Sequence, residues 1–392
     1  MGLTFQGYER KDGSVGIRNY VLLLSMVHCS NTVTQQIAWH TGAHAITHDF
    51  GCVEFADQHA RTRLALLSAA MNPNVYAVVL VGLGCEQTNH VSLLDEIAKS
   101  GKPVSYVGIQ ESGGSKEAVA KGMRLVEAYQ KEAQAQVRKS FPISKLVIGV
   151  QCGGSDWTTA LSGNITIGAM TDLLVDAGGS VIISEVAGFP GSEHILAQRA
   201  VNREVGLQIL QMCDELREEY VAVHGQTIEE VNPTPGNKAG GITTLVEKSM
   251  GNVKKMGITS KIQGLIYAGQ QVPHPGLWML DLRAPAIDGN ATSGFSMSGA
   301  HIDVFSTGRG SPMGNAVMPV LKLTGNPKSY EEMNGLFDFN AGVVLEGTPL
   351  QEAGAALLNR VIEIASGDET KSEINGDFEF IIPRENHRQG RK

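Results

Sequence analysis

The sequence lacks the segments that would place a protein in or across a membrane. No apolar run approaches the ~20 residues that a membrane span needs, and the opening MGLTFQGYERKDG has no apolar stretch of signal-peptide length. Gln6 stands where a myristoylation signal requires Ser or Thr. These absences predict a cytoplasmic protein with no membrane partner.

An excess of basic side chains is also missing. The 40 Asp and Glu residues outnumber the 32 Lys and Arg residues, the net charge is -8, and neither sign forms a long block. This balance argues against nucleic acid as a partner. Hydrophobic residues make up 42% of the chain, and its 46 glycines indicate a globular protein with many tight turns. At about 150 residues per domain, 392 residues favour two domains.

Cysteine is scarce, but its placement is informative. The chain has five cysteines, an odd number that favours free, metal-bound or catalytic thiols over disulfides in a reducing compartment. Four of them, Cys29, Cys52, Cys85 and Cys152, each follow a hydrophobic run that is typical of a strand. The carboxyl ends of parallel strands share one edge of a sheet, so these thiols could meet there. Thiolates suit iron or zinc better than magnesium.

We therefore predict Cys29, Cys52, Cys85 and Cys152 as metal ligands. The first three could hold iron as a mononuclear site or as an iron–sulfur cluster with one open coordinate, while the fourth faces them from the second domain. The alternative is that each thiol is a small buried hydrophobe, as free cysteine often is. Cys213, on the amphipathic stretch QILQMCDEL, is predicted to be a packing residue.

Strand-like and helix-like patterns alternate along the chain. Apolar runs predict strands at 20–28, 75–83, 103–109, 145–150, 180–184, 262–268, 301–306 and 317–323, and helical spacing predicts helices at 32–41, 54–70, 91–99, 115–138 and 193–219. The short KSFPIS, 139–144, predicts a boundary near residue 141. The predicted fold is therefore α/β, with two Rossmann-like or flavodoxin-like domains, 1–140 and 141–392, built on mainly parallel sheets.

Three glycine-rich turns follow predicted strands or loops, at 152–156, 236–241 and 307–311. Small residues let backbone amides approach an anion closely, and Lys238 and Arg309 add positive charge to two of the turns. A carboxylate, sulfonate or phosphate would suit such turns. None matches a phosphate-binding loop or a dinucleotide fingerprint, so nucleotide binding is disfavoured. The alternative is that these glycines serve only the turns.

Several motifs in order along the chain make a family resemblance. They are Phe5-Gln6-Gly7-Tyr8-Glu9-Arg10-Lys11-Asp12-Gly13, Gly16-Ile17-Arg18-Asn19, His48 with Gly51-Cys52, Gly82-Leu83-Gly84-Cys85-Glu86, Gln151-Cys152-Gly153-Gly154-Ser155-Asp156, Gly236-Asn237 with Gly240-Gly241, Glu247-Lys248-Ser249-Met250-Gly251, and Phe305-Ser306-Thr307-Gly308-Arg309-Gly310. Together they resemble the large-subunit region of the altronate and galactarate dehydratase family, over roughly residues 5 to 385.

The resemblance implies a lyase that removes water from a 2,3-dihydroxy acid to leave a 2-keto-3-deoxy acid. It also implies a need for Fe²⁺ or another divalent metal, and a related branch eliminates sulfite from sulfolactate. Single-chain members carry a further N-terminal domain of about a hundred residues. Because Met1 lies just ahead of Phe5, we expect that domain as a separate small subunit, and we expect an oligomer.

Such a reaction needs a base for the carbon-bound proton, an acid for the leaving hydroxyl and groups that stabilise the charged carboxylate. Lys248 is a candidate base, Glu247 beside it and His48 are candidate catalytic groups, and Asp156 and Glu185 are alternative acids or bases. Their alternatives are a surface ion pair, a capping histidine and solvated carboxylates. The candidate substrate-binding residues are Arg18, Asn19, Gly153, Gly154, Ser155, Asn164, Asn237, Lys238, Thr307, Gly308 and Arg309.

Four departures from the family pattern bear on the substrate. Phe50 replaces a second histidine, Val186-Ala187-Gly188 follows Ser184-Glu185 where Thr-x-Glu is usual, and the segments 163–168 and 280–284 also differ. A polyhydroxylated hexonate is therefore a doubtful substrate, and Arg283 could favour a shorter or more anionic acid. Two alternatives stay open: a sulfo-lyase acting on sulfolactate, and a non-catalytic paralogue that binds a sugar acid.

Overall fold

The computed structural model describes residues 2–282 and 288–383. In chain order its strands are β1 (Thr4–Glu9), β2 (Val15–Gly16), β3 (Tyr20–Ser25), β4 (His44–Ile46), β5 (Val75–Gly82), β6 (Val104–Gly108), β7 (Lys139–Pro142), β8 (Val147–Cys152), β9 (Ser180–Ile183), β10 (Ile262–Ile266), β11 (Gly276–Leu280), β12 (Ile302–Ser306), β13 (Val320–Thr324) and β14 (Phe339–Asn340).

The α-helices are α1 (Asn31–Thr41), α2 (Ala56–Met71), α3 (His90–Lys99), α4 (Ser115–Gln134), α5 (Asn164–Asp176), α6 (Glu193–Gln198), α7 (Arg203–His224), α8 (Ile228–Val231), α9 (Pro235–Ala239), α10 (Leu245–Asn252), α11 (Asp288–Met297), α12 (Pro327–Glu332), α13 (Leu350–Ala365) and α14 (Lys371–Asn375). Among the described helices, none is both long and apolar enough to cross a membrane.

The first part of the chain forms a four-stranded sheet in the order β4-β3-β5-β6, with every pair parallel. In chain order this is 2-1-3-4, the order of flavodoxin-like sheets. Apolar residues of α1 and α4 pack on one face, and those of α2 and α3 pack on the other. Because parallel strands need helical crossovers, the alternation seen in the sequence produces this layered arrangement.

The second part forms a seven-stranded sheet in the order β10-β11-β9-β8-β12-β13-β14, again wholly parallel. Helices α5, α7 and α13 cover one face, and α11 packs against the other. The strand order reverses between β8 and β12, which is where open α/β sheets form ligand crevices. The predicted α/β fold with parallel sheets is confirmed.

A small antiparallel sheet of β2, β1 and β7 joins the two parts. Phe5 pairs with Phe141, and Arg138 donates to the carbonyls of Gln6 (2.6 Å) and Ile17 (3.0 Å). The segment 139–144, predicted to hold the boundary near residue 141, therefore contains the paired strand β7 (Lys139–Pro142). The pairing was not predicted because it joins residues more than 130 positions apart, which no local pattern reports.

The prediction of one continuous helix over 193–219 is wrong. The structure divides it into α6 and α7, because the residues between them bond to β10: Val201 N–H donates to the Ile262 carbonyl, and Ile262 N–H donates to the Arg199 carbonyl, both at 2.9 Å. The Asn202 side chain then caps α7 by accepting from Val205 N–H at 3.0 Å. Strand β11, at the centre of one half of the sheet, was also missed.

Candidate active site at the edge of the seven-stranded sheet

A cavity of about 370 Å³ lies at the carboxyl ends of β8 and β9, beside the point where the strand order reverses. It is lined by Cys152, Gly153, Gly154, Ser184, Glu185, Val186, Ala187, Gly188, Asn232, Thr234, Gly236, Asn237, Lys248, Leu282, Asp288, Asn290, Ala291 and Arg309. The family motifs of the second part of the chain, and the departures at 184–188 and 280–284, therefore each contribute residues to one cavity, whereas the segment 163–168 does not.

Glycines after β8 bring the backbone close to the cavity. Gly154 has a positive φ of 53°, which an L side chain rarely adopts. A Cβ atom at Gly153 would overlap the carboxylate of Asp288, so this turn requires glycine for the acid to approach. Arg309 N–H donates to the Gly154 carbonyl at 3.0 Å and ties the turn after β12 to the turn after β8.

Glu185 enters the cavity from a strained position. Its φ of 79° puts a non-glycine residue in the left-handed region, which costs about 1–3 kcal/mol and tends to occur at functional sites. The carboxylate forms an ion pair with Lys255, which is completely buried, and accepts from Cys152 N–H at 3.2 Å. These contacts fix the carboxylate at the end of β8.

Lys255 also contacts the thiol of Cys152, with Nζ 3.1 Å from Sγ. Burial opposes the charge on Lys255, but Cys152 and Glu185 outweigh it and hold its pKa above the ordinary value. Burial, and then the Glu185 charge, raise the pKa of Cys152. Because the raised pKa disfavours the thiolate form that binds metal ions, this position is a poor setting for a metal ligand.

Lys248 carries a charge that no described carboxylate neutralises. Its Nζ donates to Asn232 Oδ1 at 2.8 Å and to Asn237 Oδ1 at 3.1 Å. Both amides are held in that orientation, since Asn232 Nδ2 donates to the Ala187 carbonyl and Asn237 Nδ2 to the Ser155 carbonyl. Two neutral acceptors thus position an ammonium group in the cavity wall, where it can attract an anion.

Arg309 adds a second cation at the rim of the cavity. Its side chain is exposed, and within the described part of the chain it makes neither an ion pair nor a side-chain hydrogen bond. The pair of cations, Lys248 and Arg309, with the amides of Asn232 and Asn237, makes this wall of the cavity electropositive.

Asp288 also lines the cavity, at the first position of α11. Burial, and then the charge of Glu185, raise its pKa to about 6. Sequence analysis missed Asp288 and Lys255. Asp288 follows a strand that was not predicted, and Lys255, in VKKM, has the appearance of a surface lysine beside Lys254.

Other predicted residues support the cavity from behind. Asp156 is buried, and its carboxylate accepts from Thr158 Oγ1 (2.6 Å) and Thr159 N–H (3.0 Å), so it stabilises its own turn. A Cβ at Gly308 would overlap this carboxylate. Asn164 Nδ2 donates to the Gly251 carbonyl at 3.0 Å. These residues shape the site but do not line it.

The remaining predicted residues of this half also lie outside the lining. Ser155 is buried, Thr307 Oγ1 accepts from Gly310 N–H at 3.1 Å, and Lys238 is exposed on α9. Glu247 is exposed and serves the capping box of α10 with Thr244, as its bonds to Thr243 and Thr244 show. A cap explains this glutamate without any catalytic role.

Arg18 and Asn19 were predicted to bind substrate. In the structure their side chains form hydrogen bonds and an ion pair with other parts of the fold. Arg18 pairs with Glu373 at 2.7 Å and donates to the Ile364 carbonyl at 2.9 Å. Asn19 Oδ1 accepts from Arg10 at 2.8 Å. The motif that contains them therefore connects the first part of the chain to its last helices.

His48, predicted as a catalytic residue, is buried with both ring nitrogens engaged. Nε2 lies 2.8 Å from the Ser25 carbonyl, and Nδ1 lies 3.1 Å from Phe50 N–H. A carbonyl at one nitrogen and an N–H at the other fix a neutral tautomer with its proton on Nε2. The ring therefore has a structural explanation at the edge of the first sheet.

The loops bearing Cys29, Cys52 and Cys85 do adjoin at the carboxyl edge of the four-stranded sheet. His28 N–H donates to the Phe50 carbonyl and Gln87 N–H to the Gly51 carbonyl, both at 2.9 Å. All three thiols are exposed. However, in residues 2–282 and 288–383 no three His, Cys, Asp or Glu side chains are close enough together to hold a metal ion.

The four thiols predicted as one ligand set are therefore divided between two places. Cys152 is buried beside Lys255, whereas the other three are exposed on the first sheet's edge. The prediction placed Cys152 in the second domain, facing the other three thiols, and it missed that Cys152 is buried beside Lys255. Cys213 is buried in the main apolar core, as its predicted packing role requires.

Comparison with known proteins covers almost the whole chain. The C-terminal domain model of D-galactarate/altronate dehydratase matches residues 143–387, and the second-domain model of D-galactarate dehydratase/altronate hydrolase matches residues 7–134. The altronate dehydratase of Bacillus subtilis is 34% identical over 97% of this chain and 77% of its own length.

Two further relatives are similar at the same level. The (2R)-sulfolactate sulfo-lyase subunit beta of Chromohalobacter salexigens is 33% identical over 98% of both chains. The galactarate dehydratase (L-threo-forming) of Escherichia coli is 32% identical over 93% of this chain and 73% of its own length. The names of these relatives specify different acids: altronate, sulfolactate and galactarate.

Proposed function

The chain belongs to the D-galactarate/altronate dehydratase family, and from this we propose that it is a carbon–oxygen lyase that removes water from a 2,3-dihydroxy acid to give a 2-keto-3-deoxy acid. The observation that carries the proposal is the cavity at the edge of the seven-stranded sheet. It brings two cations that no described carboxylate pairs with, Lys248 and Arg309, into one space with two carboxyl groups, Glu185 and Asp288.

The cationic wall would hold the carboxylate of the substrate. Removal of the proton beside a carboxylate moves negative charge onto its oxygens, and fixed cations stabilise that charge without reorganising. Lys248 was predicted as a base, but its bonds to Asn232 and Asn237 favour this anchoring role. At about 370 Å³ the cavity is at the small end of the roughly 300–1,000 Å³ range of ligand pockets, which suits a short acid.

We place the acid for the departing hydroxyl at Glu185. The carboxylate lines the cavity, and Lys255 behind it can supply the proton that Glu185 passes to the leaving oxygen. Lys255 does not line the cavity, so it acts through Glu185 as a positioning residue. The strained backbone of Glu185 is consistent with a carboxylate held for chemistry rather than for packing.

An iron requirement stays a prediction. The described side chains provide no group of three donors at either edge, and Cys152 has an ammonium neighbour, so the residues as arranged do not fit a metal site. We derive no step through a metal ion. Elemental analysis of anaerobically purified protein, for iron and other divalent metals, tests the requirement independently of turnover.

A small partner subunit is part of the proposal. One relative of matching length is named a subunit beta, while the altronate and galactarate dehydratases extend beyond the region shared with this chain. We propose a companion chain of about a hundred residues, a size typical of a small domain, within an oligomer. Co-purification from cells that express the neighbouring reading frames tests this.

Sulfite elimination from sulfolactate is the second candidate. It is favoured by the match over 98% of both chains to the sulfo-lyase subunit and by the apolar segment Val186-Ala187-Gly188 in the cavity wall. Phe50, another departure, packs beside a small cluster of Ala65, Met297 and Ile382 and does not line the cavity. Arg283 lies outside the described residues. A binding paralogue without activity is the remaining alternative.

The test is a screen of the full chain with its co-purified companion, with Fe²⁺ and without oxygen, against altronate, galactarate and (2R)-sulfolactate. A dehydratase forms a 2-keto acid from one of the first two, whereas a sulfo-lyase releases sulfite from the third. Lys248→Met should lower turnover at low substrate concentrations about 10- to 150-fold, the value of a lost charged hydrogen bond, while Lys261→Met, at an exposed lysine, serves as the control. Binding of an acid without any product would favour the binding paralogue.

A further inference from the structure

The two carboxyl groups of the cavity have opposite surroundings. Glu185 has the Lys255 ammonium and the Cys152 N–H to stabilise its charge. The carboxylate of Asp288 accepts no hydrogen bond from any residue that the structure describes and is in no ion pair with one, and the bond from Thr292 Oγ1 goes to the backbone carbonyl of Asp288. Since a carboxylate without donors is poorly stabilised, it has a stronger tendency to take up a proton.

The position of Asp288 makes that tendency useful. The carboxyl group sits against Gly153, where any side chain would overlap it, so the turn after β8 is shaped around this acid. It shares the cavity with Lys248, whose ammonium would hold the substrate carboxylate. The carbon that loses its proton is bonded to that carboxylate, so a base is needed within the same small space.

We infer that Asp288 is the catalytic base that removes the carbon-bound proton beside the substrate carboxylate. The inference rests on the proposed function and adds a residue that neither the sequence motifs nor the comparisons indicate. The raised pKa of Asp288, about 6 through burial and the charge of Glu185, supports it, because a base works best when its pKa lies near the working pH. When two carboxyl groups of one site have surroundings that push their pKa values apart, one commonly acts as the base and the other as the acid.

The proton transfers balance. The C2–H bond breaks, its proton passes to Asp288, and its electron pair forms the C2–C3 double bond as the C3–O bond breaks. The leaving hydroxyl takes a proton from Lys255 through Glu185 and departs as water. The enol then takes the Asp288 proton at C3 and returns its oxygen-bound proton through Glu185, so both groups end as they began.

The experiment uses the full chain with its companion and whichever of altronate, galactarate and (2R)-sulfolactate the wild type consumes. Asp288→Asn keeps the shape but cannot accept the proton, so turnover should fall by about 10²–10⁴-fold, the usual contribution of a general base. Asp288→Glu should retain more activity than Asp288→Asn. Added formate should restore part of the turnover of Asp288→Ala, which a purely structural role would not allow.

Asp338→Asn is the matched control. Burial raises the pKa of Asp338 to about 6 as well, but this acid accepts from the N–H groups of Lys322 and Lys371 and lies outside the cavity lining. Its variant should keep wild-type turnover.

If the wild type is active and the turnover of Asp288→Asn is within threefold of the wild-type turnover, Asp288 is not the base. If the substitution unfolds the chain, formate rescue of Asp288→Ala and the activity of Asp288→Glu decide instead, and the absence of both overturns it. A wild type that consumes none of the three acids contradicts the proposed function, and the base falls with it.

Discussion

The carboxyl edges of the two parallel sheets look alike in the sequence but differ in the structure. At the edge of the four-stranded sheet, Cys29, Cys52 and Cys85 are exposed on adjoining loops. At the edge of the seven-stranded sheet, Glu185, Lys248 and other side chains enclose a cavity. Each edge is a place where α/β proteins bind ligands, and the cavity lined by Glu185, Lys248 and Asp288 lies at the second.

The difference teaches that reactive residue types locate a site less well than the pairing of charges does. The exposed thiols have no described set of three ligand donors beside them. Lys255, in contrast, is completely buried and pairs with Glu185, and among the described residues Lys248 has amide oxygens as its only hydrogen-bond partners. Buried and unneutralised charges destabilise a fold, so their retention indicates function.

The largest effect that we expect is on the free energy of unfolding, and it comes from Lys255→Met. Removing one partner of a buried ion pair strands the other, so unfolding should require about 3–5 kcal/mol less free energy. Denaturant unfolding measures this, and Lys254→Met, at the exposed neighbour, is the control. The double variant Glu185→Gln with Lys255→Met should recover part of the loss. Of the surviving activity, kcat should fall more than KM rises, and Lys255→Arg should regain some of it.

If the Lys255→Met variant has the same free energy of unfolding as the wild type, the ion pair between Lys255 and Glu185 is not buried away from water. That result would also remove the reason to call Lys255 a positioning residue.

Next in size is the effect of Lys248→Met on substrate affinity. A lost charged hydrogen bond is worth about 1.5–3 kcal/mol, so KM for the consumed acid should rise about 10- to 150-fold. The unfolding free energy should change little, since both partners are neutral amides. Steady-state kinetics with calorimetric binding checks this, and an unchanged KM would move the carboxylate site elsewhere.

A smaller effect concerns how the stability of the fold depends on pH through Asp303, a buried residue of β12. Burial raises the pKa of Asp303 from 3.8 to about 7, and its Oδ1, like Gln151 Oε1, has no hydrogen-bond donor among the described residues. The folded state therefore binds this proton more tightly than the unfolded state. The stabilisation is complete below pH 3.8 and is lost as pH rises through about 7.

The Asp303→Asn variant has a neutral amide at this position at every pH, so its stability does not depend on protonation of residue 303. The wild type should lose stability relative to this variant between pH 5 and pH 8, as thermal unfolding at several pH values would record. Parallel curves for the two proteins would mean that Asp303 is already ionised in the folded state.

The smallest effect is expected at the four-stranded edge. Replacing Cys29, Cys52 and Cys85 together by Ser changes exposed side chains, and surface substitutions are usually within about 0.5 kcal/mol. Stability and calorimetric affinity for the consumed acid should both stay at wild-type values. A lost affinity in the triple variant would place substrate at the thiols, and a lost metal content alone would support the iron prediction.

Sequence patterns were sufficient for much of the fold. Apolar runs located β3, β5 and β6 and the helices between them, because buried parallel strands are continuous hydrophobic segments. They could not report the pairing of β1 with β7, which is remote in sequence, or the break between α6 and α7, which depends on bonds to β10.

For the site, sequence analysis identified Glu185, Lys248, Asn237 and Arg309 through motifs and glycine-rich turns. It could not identify Asp288 or Lys255, because their importance comes from burial and from the nearby charge of Glu185 rather than from any local motif. It also assigned Glu247 to catalysis, since a capping glutamate beside a lysine has the same appearance as a catalytic pair.

The most direct test of the central claim is a crystal structure of the chain with a bound 3-deoxy-2-hydroxy acid, which keeps the carboxylate and the 2-hydroxyl but has no leaving group. The account predicts density for this acid at the carboxyl ends of β8 and β9, with its carboxylate at Lys248 and Arg309 and its C2 hydrogen facing Asp288. Density for the acid beside Cys29, Cys52 and Cys85, with that cavity empty, would contradict it.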